Sequence, residues 1–250
     1  MEGWAITEKL MHNFPAELQR KFESSILEGS MPAGSVLYLK SLYQQLNAKP
    51  DEMNQVLKSA FRKGLVDCNE DGTFVVRTMA KPTIESVFQH TARMGFKPTT
   101  VVREVEIIPS SAEIAQRLKV NPGDLVYLQV RSRLVEGRVL ANQNNYLPVE
   151  VCPGLEGKDL SHRSFQEALE QDYHAIVMEV EESCRLAPAN QSDQQILDLS
   201  EKDNVVIVER LSLSATKQPL VWADIHVRID RIDYVAALWP NAAHLIKENK

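Results

Sequence analysis

Leu18, Phe22 and Ile26 recur at helical spacing between Ala16 and Glu28, and the run EGSMPAG then breaks the period with Gly29, Pro32 and Gly34, so a first helix ends there. Leu39, Leu42, Tyr43 and Leu46 mark a second short helix, and Met53, Val56, Leu57, Ala60 and Phe61 mark a third, each with apolar residues three and four apart. Asn47 to Lys49 form the turn between them. Pro50 suits the first position of the third helix, where its missing N–H would be unpaired anyway, and Asp51 and Glu52 favour the positive end of the helix dipole. After Gly64, the short apolar segments LVDC and TFVV flank NEDG, a hairpin turn with Asp71 and Gly72 at its tip. Three helices and a hairpin predict a winged helix-turn-helix over residues 1–78.

RTMAKPTIES interrupts the periodicity and carries Pro82, which predicts a linker at 79–83 and a second domain over 84–250. There the order of elements repeats. VVREVEI reads as a strand, SSAEIAQRL as a helix that Ser110 and Glu113 could open as a capping box, NPGD as a turn, LVYLQVRSRLV as a strand and VLANQNNYL as its hairpin partner. IVMEVEES, SDQQILDLSE, NVVIVERLSLS, ATKQP and LVWADIHVRI follow the same order. Two strand-helix-strand-strand units predict an α+β domain whose antiparallel sheet has helices on one face and a second face open to a ligand.

The 250 residues, 44% of them hydrophobic, suffice for two globular cores. The formal charge of −6 leaves nucleic-acid binding to a local basic patch. Cys68, Cys152 and Cys184 are far apart and odd in number, which fits buried thiols in a reducing compartment rather than disulfides or a zinc site. With no membrane-spanning apolar run and no secretion signal in MEGWAITEKL, the expected location is the cytoplasm.

The stretch SILEGSMPAGSVLYLKSLYQQLNAKPDEMNQVLKSAFRKGLVDCNEDGTFVV resembles the winged-helix domain of the GntR family of bacterial transcription regulators. RMGFKP, RSRLVEGRVLANQNNYLP, PGLEGKDLSHRSFQEALEQDY and QPLVWADIHVRIDRIDYV resemble the UTRA effector domain of its HutC subfamily, so the likeness covers nearly the whole chain. It implies a UTRA domain with the chorismate lyase fold, a homodimer, and a repressor whose DNA affinity is set by a small effector. The likeness is weaker in the first domain. Where the family's recognition helix opens with Ser-Arg-x-Thr-Val-Arg, this chain has Lys49, Pro50, Asp51, Glu52, Met53 and Asn54, and both arginines are absent. The family's Pro-Ser-Glu becomes Leu37, Tyr38 and Leu39, and Glu70 replaces the first glycine of the wing tip. Residues 1–80 hold nine Lys or Arg against ten Asp or Glu.

Two readings of this domain stay open. In one, Lys49, Asn54, Lys58, Arg62 and Lys63 form a basic rim, with Gly72 at the wing tip and Asn54 able to hydrogen-bond adenine, and a dimer doubles each contact on DNA. In the other, the helices serve structure or a protein partner.

On LVYLQVRSRLV, Val126, Leu128 and Val130 point one way and Tyr127, Gln129, Arg131 and Arg133 the other. A three-residue hairpin loop at Glu136 to Arg138 places Arg131 opposite Gln143, and a two-residue loop places it opposite Asn142. Either way the arginine pair adjoins Asn142, Gln143, Asn144 and Asn145, a surface suited to a phosphorylated or carboxylated metabolite. The resemblance implies that Arg131, Arg133 and Ser164 bind the acidic end of the effector, with Ser86 in a nearby loop. A family glutamate in the hairpin is Gln143 here and another in the last strand is Val221, for which Asp224 could partly compensate. The competing structural role for the arginines is pairing with Glu104, Glu106 or Glu209 on the sheet surface.

The six histidines show no metal-ligand spacing, no phosphate loop or nucleophile elbow occurs, and no cofactor is implied. Trp222 and Trp239 read as core or dimer residues, and RIDRIDY as an edge strand. An enzyme acting on a small carboxylate is a third reading, with the arginines as anion clamp, although no acid or base stands out to complete it.

Overall fold

The computed structural model describes residues 15–78, 87–158, 160, 164–231 and 239. Its first unit holds α1 (Ala16–Leu27), α2 (Leu39–Leu46) and α3 (Pro50–Lys63), with β1 (Val36–Leu37), β2 (Val66–Cys68) and β3 (Phe74–Val76) in an antiparallel sheet of order β1-β3-β2. The hairpin β2–β3 is the expected wing. The two-residue β1 went unpredicted because so short a run carries no period. Met53, Val56, Leu57 and Ala60 on α3 are fully buried against Phe22 and Leu42, the apolar stripe of the sequence turned into a core. Glu52 accepts a hydrogen bond from the Lys49 backbone N–H at 3.1 Å, so this acid caps its own helix. Gly64, at φ +79°, ends α3 in the left-handed region.

The second unit begins, among the described residues, with α4 (Val87–Arg93) and contains β4 (Pro98–Pro109), α5 (Ala112–Leu118), β5 (Leu125–Val135), β6 (Arg138–Pro148), two 3-10 turns (Val149–Val151 and Leu155–Gly157), α6 (Phe165–Tyr173), β7 (Glu179–Pro188), α7 (Gln191–Leu197), β8 (Asn204–Leu213) and β9 (Pro219–Arg228). The six strands form one antiparallel sheet of order β4-β5-β6-β9-β8-β7. The two halves meet at β6–β9, and from the helix caps through β5 and β8 they match residue for residue. Ser111 and Asn190 cap α5 and α7, Lys119 and Asp198 end them in the left-handed region, and the Asp124 and Asp203 carboxylates accept from the N–H groups of Asn121 and Ser200.

Three local expectations need correction. Ser111 rather than Ser110 caps α5, accepting from the Ile114 N–H at 3.2 Å, because the Ser110 hydroxyl donates to the Asn121 carbonyl. The described part of RIDRIDY is not an edge strand: Arg228 ends β9, which lies between β6 and β8, the chain leaves it through a 3-10 turn at Ile229–Arg231, and residues 232–234 lie outside the described residues. The second sheet face is covered rather than open. Helices α5 and α7 pack on one face through clusters around Val126 and Trp222 and around Leu197, Val205 and Ile207. On the other, Val149, Val151, Leu155, Leu160, Phe165 and Leu169 bury a layer made by the 3-10 turns and α6. Trp222 and Trp239 are both core residues.

The two units are joined through α3. Its Arg62 donates from Nη1 to the carbonyls of Leu118 (2.9 Å) and Pro219 (3.0 Å) and from Nη2 to that of Lys119 (3.3 Å), and its Nε lies 3.1 Å from a Glu150 carboxylate oxygen. Leu118 and Lys119 end α5, so a cation from the winged helix complements the negative end of a helix in the other unit. Ser59 and Gln19 both donate to the Glu150 carbonyl, and Thr216 donates to that of Phe61 at 2.6 Å. Beneath them the buried Glu23 carboxylate accepts from Gln19 and Lys63.

Candidate effector pocket

Strand alternation sets the site. Gln129, Arg131 and Arg133 on β5, Gln143 and Asn145 on β6, Val221, Ala223 and Ile225 on β9, and Arg210 and Ser212 on β8 all face the layer that holds α6. A cavity of about 50 Å³ lies between sheet and layer and opens to solvent. Ser164, Phe165, Gln166 and Leu169 close it from α6, whose first turn brings the positive end of the helix dipole there.

Arg131 is 2% exposed and its Nε has no partner. Its guanidinium lies 5.6 Å from the Phe165 ring centroid, which holds it in place while leaving its N–H groups toward the cavity. Arg133 donates from Nε to Gln143 (2.6 Å), Gln143 donates to Asn145 (2.5 Å), and Asn145 donates to Gln129 (3.3 Å). That chain of amides fixes the orientation of Arg133. Burial lowers Arg131 to about 10, and burial together with the charges of Arg131 and Arg210 lowers Arg133 to about 9, so both stay charged at neutral pH. Among the described residues, no carboxylate lines the cavity. The surface pairing considered for these arginines does not form, since Glu209 pairs with Arg117 at 2.6 Å on the opposite face.

Ser164 lines the cavity and caps α6, accepting from the Glu167 N–H at 3.5 Å. Gln143 stands opposite Arg131. The hairpin achieves this with a two-residue turn at Glu136 and Gly137, both at positive φ, and a bulge at Leu140 that shifts the register back by one. Ser86 lies outside the described residues. Asp224 is misplaced in the expected set: Val221 faces the cavity, so a residue three positions along the same strand faces the other side. There Asp224 lies 3.2 Å from His226 Nε2, whose Nδ1 meets Asp193 at 2.7 Å. Burial alone would lower His226, but the two carboxylates outweigh it and hold the imidazole above its ordinary value.

Sequence reasoning missed Thr100, Phe165, Arg210 and Ser212. The signal for two of them was the internal repeat, in which Arg210 and Ser212 of β8 are the counterparts of Arg131 and Arg133 of β5.

The residues proposed to meet DNA are divided. Lys49 (side chain 83% exposed, Nζ 3.8 Å from Glu52), Asn54 and Gly72 are open to solvent. Lys58 is exposed beside a cleft it shares with Lys119, Asp124 and Glu150. Arg62 and Lys63 are withdrawn from any such surface, the first by its carbonyl contacts on the second unit and the second by burial against Glu23 at 2.7 Å.

The UTRA domain profile matches residues 93–233, more than half of the chain and all of the strands that build this pocket. The chain belongs to the UTRA domain family. Among relatives, the HTH-type transcriptional regulator YurK of Bacillus subtilis is 22% identical over 191 residues, 72% of this chain and 79% of its own. The HTH-type transcriptional regulator GmuR of the same organism is 23% identical over 199 residues, 76% and 83% of the two chains. Of solved structures, PhnF from Mycobacterium smegmatis superposes with a TM-score of 0.55 at 16% identity over 86% of this chain and 95% of its own, so the likeness in fold spans both units. YurK and GmuR are both named as HTH-type transcriptional regulators, in line with the GntR resemblance. Among the described residues no group of His, Cys, Asp or Glu is arranged to hold a metal ion, and no helix is long and apolar enough to cross a membrane.

Proposed function

We propose that this chain is a cytoplasmic HutC-type transcription regulator, a homodimeric repressor in which a small anionic metabolite bound by the UTRA domain controls DNA binding by a winged helix over residues 1–78. The observation that carries this reading is the buried Arg131 beside the partly buried Arg133, with no carboxylate among the described residues that line the cavity and with the Arg131 Nε unpartnered. A buried cation without a counter-ion is costly, and a ligand phosphate or carboxylate would supply one. Gln143 and Val221, which stand where the family resemblance places glutamates, remove the groups that would meet a ligand ammonium, so the ligand is an anion without an amine.

The contact through Arg62 gives the ligand a route to DNA. Val221 lines the cavity, and the carbonyl two residues earlier on β9, that of Pro219, holds Arg62 of α3. A ligand that shifts β9 therefore shifts the seat of the recognition helix, and in a dimer the spacing of two such helices decides their fit to successive major grooves.

The test is selection of random duplex DNA by the purified protein, then titration of the enriched sequence at several salt concentrations with and without a panel of phosphate and carboxylate metabolites. A palindromic site, salt-dependent binding, and release by an anion in wild type but not in Arg131→Ala are expected. The capped, acidic start of α3 and the withdrawal of Arg62 and Lys63 favour a second reading, in which the winged helix has lost its operator and serves a protein partner. No enriched sequence at low salt, with anion binding intact, would replace the first reading by the second.

A further inference from the structure

Among the described cavities and buried polar clusters, the far end of the effector pocket carries a consequence for ligand class that rests on the reading above. We propose that the ligand is an acid with two anionic groups, one held by Arg131 and Arg133 and a carboxylate at its other end held by Arg210 and Ser212.

The internal repeat builds the pocket with two ends. Arg131 and Arg133 on β5 match Arg210 and Ser212 on β8, and all four line the one cavity. Strands β6 and β9 lie between them, so the two anchoring backbones stand about 14 Å apart at three inter-strand spacings, and long arginine side chains reach inward from each. Each end offers guanidinium and hydroxyl donors: Thr100, paired with Arg133 in the sheet, and Ser164 at the β5 end, and Ser212 at the β8 end. The floor between them changes from the amides Gln143 and Asn145 on β6 to Val221, Ala223 and Ile225 on β9.

Charge distinguishes the ends. Arg131 and Arg133 meet no carboxylate among the described residues of the cavity, which suits a doubly charged phosphate. Arg210 is bonded from Nη1 to Glu182 on the edge strand at 2.7 Å, so part of its charge is already met and a singly charged carboxylate suits it. Burial lowers Arg133 first, and the charges of Arg131 and Arg210 add to it, as fits two ends of one cavity.

The experiment is titration calorimetry of the full chain with two phosphate esters that differ only at the far end, 6-phosphogluconate and sorbitol 6-phosphate, together with inorganic phosphate. The carboxylate-bearing ester is expected to bind wild type at least about tenfold more tightly than sorbitol 6-phosphate, the return from one added charge-assisted contact of about 1.4 kcal/mol. In Arg210→Gln that advantage disappears while sorbitol 6-phosphate binds as before, and Arg210→Lys, which keeps the charge, controls for folding. Glu182→Gln, outside the cavity, frees Arg210 and tightens 6-phosphogluconate alone. Equal binding of the two esters by wild type, or an advantage that survives Arg210→Gln, overturns the proposal and leaves the Arg131–Arg133 anion site standing. Failure of both esters and of phosphate to bind overturns both.

Discussion

Replacing Arg62 by alanine removes one side chain from α3 and four contacts from the junction between the winged helix and the UTRA domain. The Arg62 side chain is 11% exposed. A hydrogen bond from a charged donor is worth about 1.5–3 kcal/mol where its loss leaves a buried group unpaired. The carbonyls at the end of α5 can recruit water once Arg62 is gone, so about 1 kcal/mol for each of the three carbonyl contacts is the sounder figure. The Glu150 pair is partly exposed and adds little. The junction therefore weakens by about 3 kcal/mol, more than a hundredfold in the equilibrium between docked and separated units. Amide hydrogen exchange reads this directly. Residues 60–65 at the end of α3 and 215–218, the turn that carries Thr216, should exchange up to a hundredfold faster in Arg62→Ala, while the core strands β6 and β9 stay protected. Arg62→Lys, with one charge but no planar fork, should fall between. Ligand binding at Arg131 should be unchanged, whereas the ligand's effect on DNA affinity should shrink toward none. Protection at both segments within about threefold of wild type would refute the account of Arg62 as the tie between units.

Three further outcomes follow from the same geometry. Arg131→Met fills a similar volume without charge, so the ligand-free protein should gain about 1–3 kcal/mol in urea unfolding while losing anion binding; a destabilised variant would mean that Arg131 already has its counter-charge. Gly64→Ala places a Cβ 3.1 Å from Ala215 at φ +79°, and should lower stability by about 1–2 kcal/mol and raise exchange at 215–218; an unchanged melting temperature would contradict the close approach. Because His226 is held above its ordinary value of 6.5, its contribution to stability is complete below about pH 6.5 and fades as pH rises through its raised value, so His226→Asn should destabilise the protein at pH 6 more than at pH 9 by denaturant titration, and an equal loss at both would remove the Asp193 and Asp224 contacts as the cause.

How far the sequence disclosed this site depended on the range of the interaction involved. The shared face of Arg131 and Arg133 was legible because strand alternation is a local rule, and the same rule excludes Asp224 once Val221 is placed on the cavity side. Arg210 was legible in principle from the repeat. The covering layer was not, since the 3-10 turns at Val149–Val151 and Leu155–Gly157 carry no period and owe their place to burial of Val149, Val151 and Leu155 against the sheet. The bulge at Leu140 was likewise invisible, yet it decides whether Gln143 or Asn142 meets Arg131.

Arg62 and Arg131 show where local reasoning ends. Both are arginines on amphipathic elements, and composition or spacing would give either one to an anion. What separates them is what each guanidinium meets at long range in the chain. Arg62 meets the carbonyls of Leu118, Lys119 and Pro219, neutral acceptors already committed to the fold, and a phosphate would have to displace them. Arg131 meets the face of Phe165 and leaves its Nε without an acceptor in a place where water is scarce. A folded chain tolerates such an orphan only at a cost in stability, and under the proposed function a ligand anion offsets that cost. On that criterion Arg62, at the end of α3, belongs to the architecture, and Arg131, buried on the sheet, is the residue the proposed function draws on.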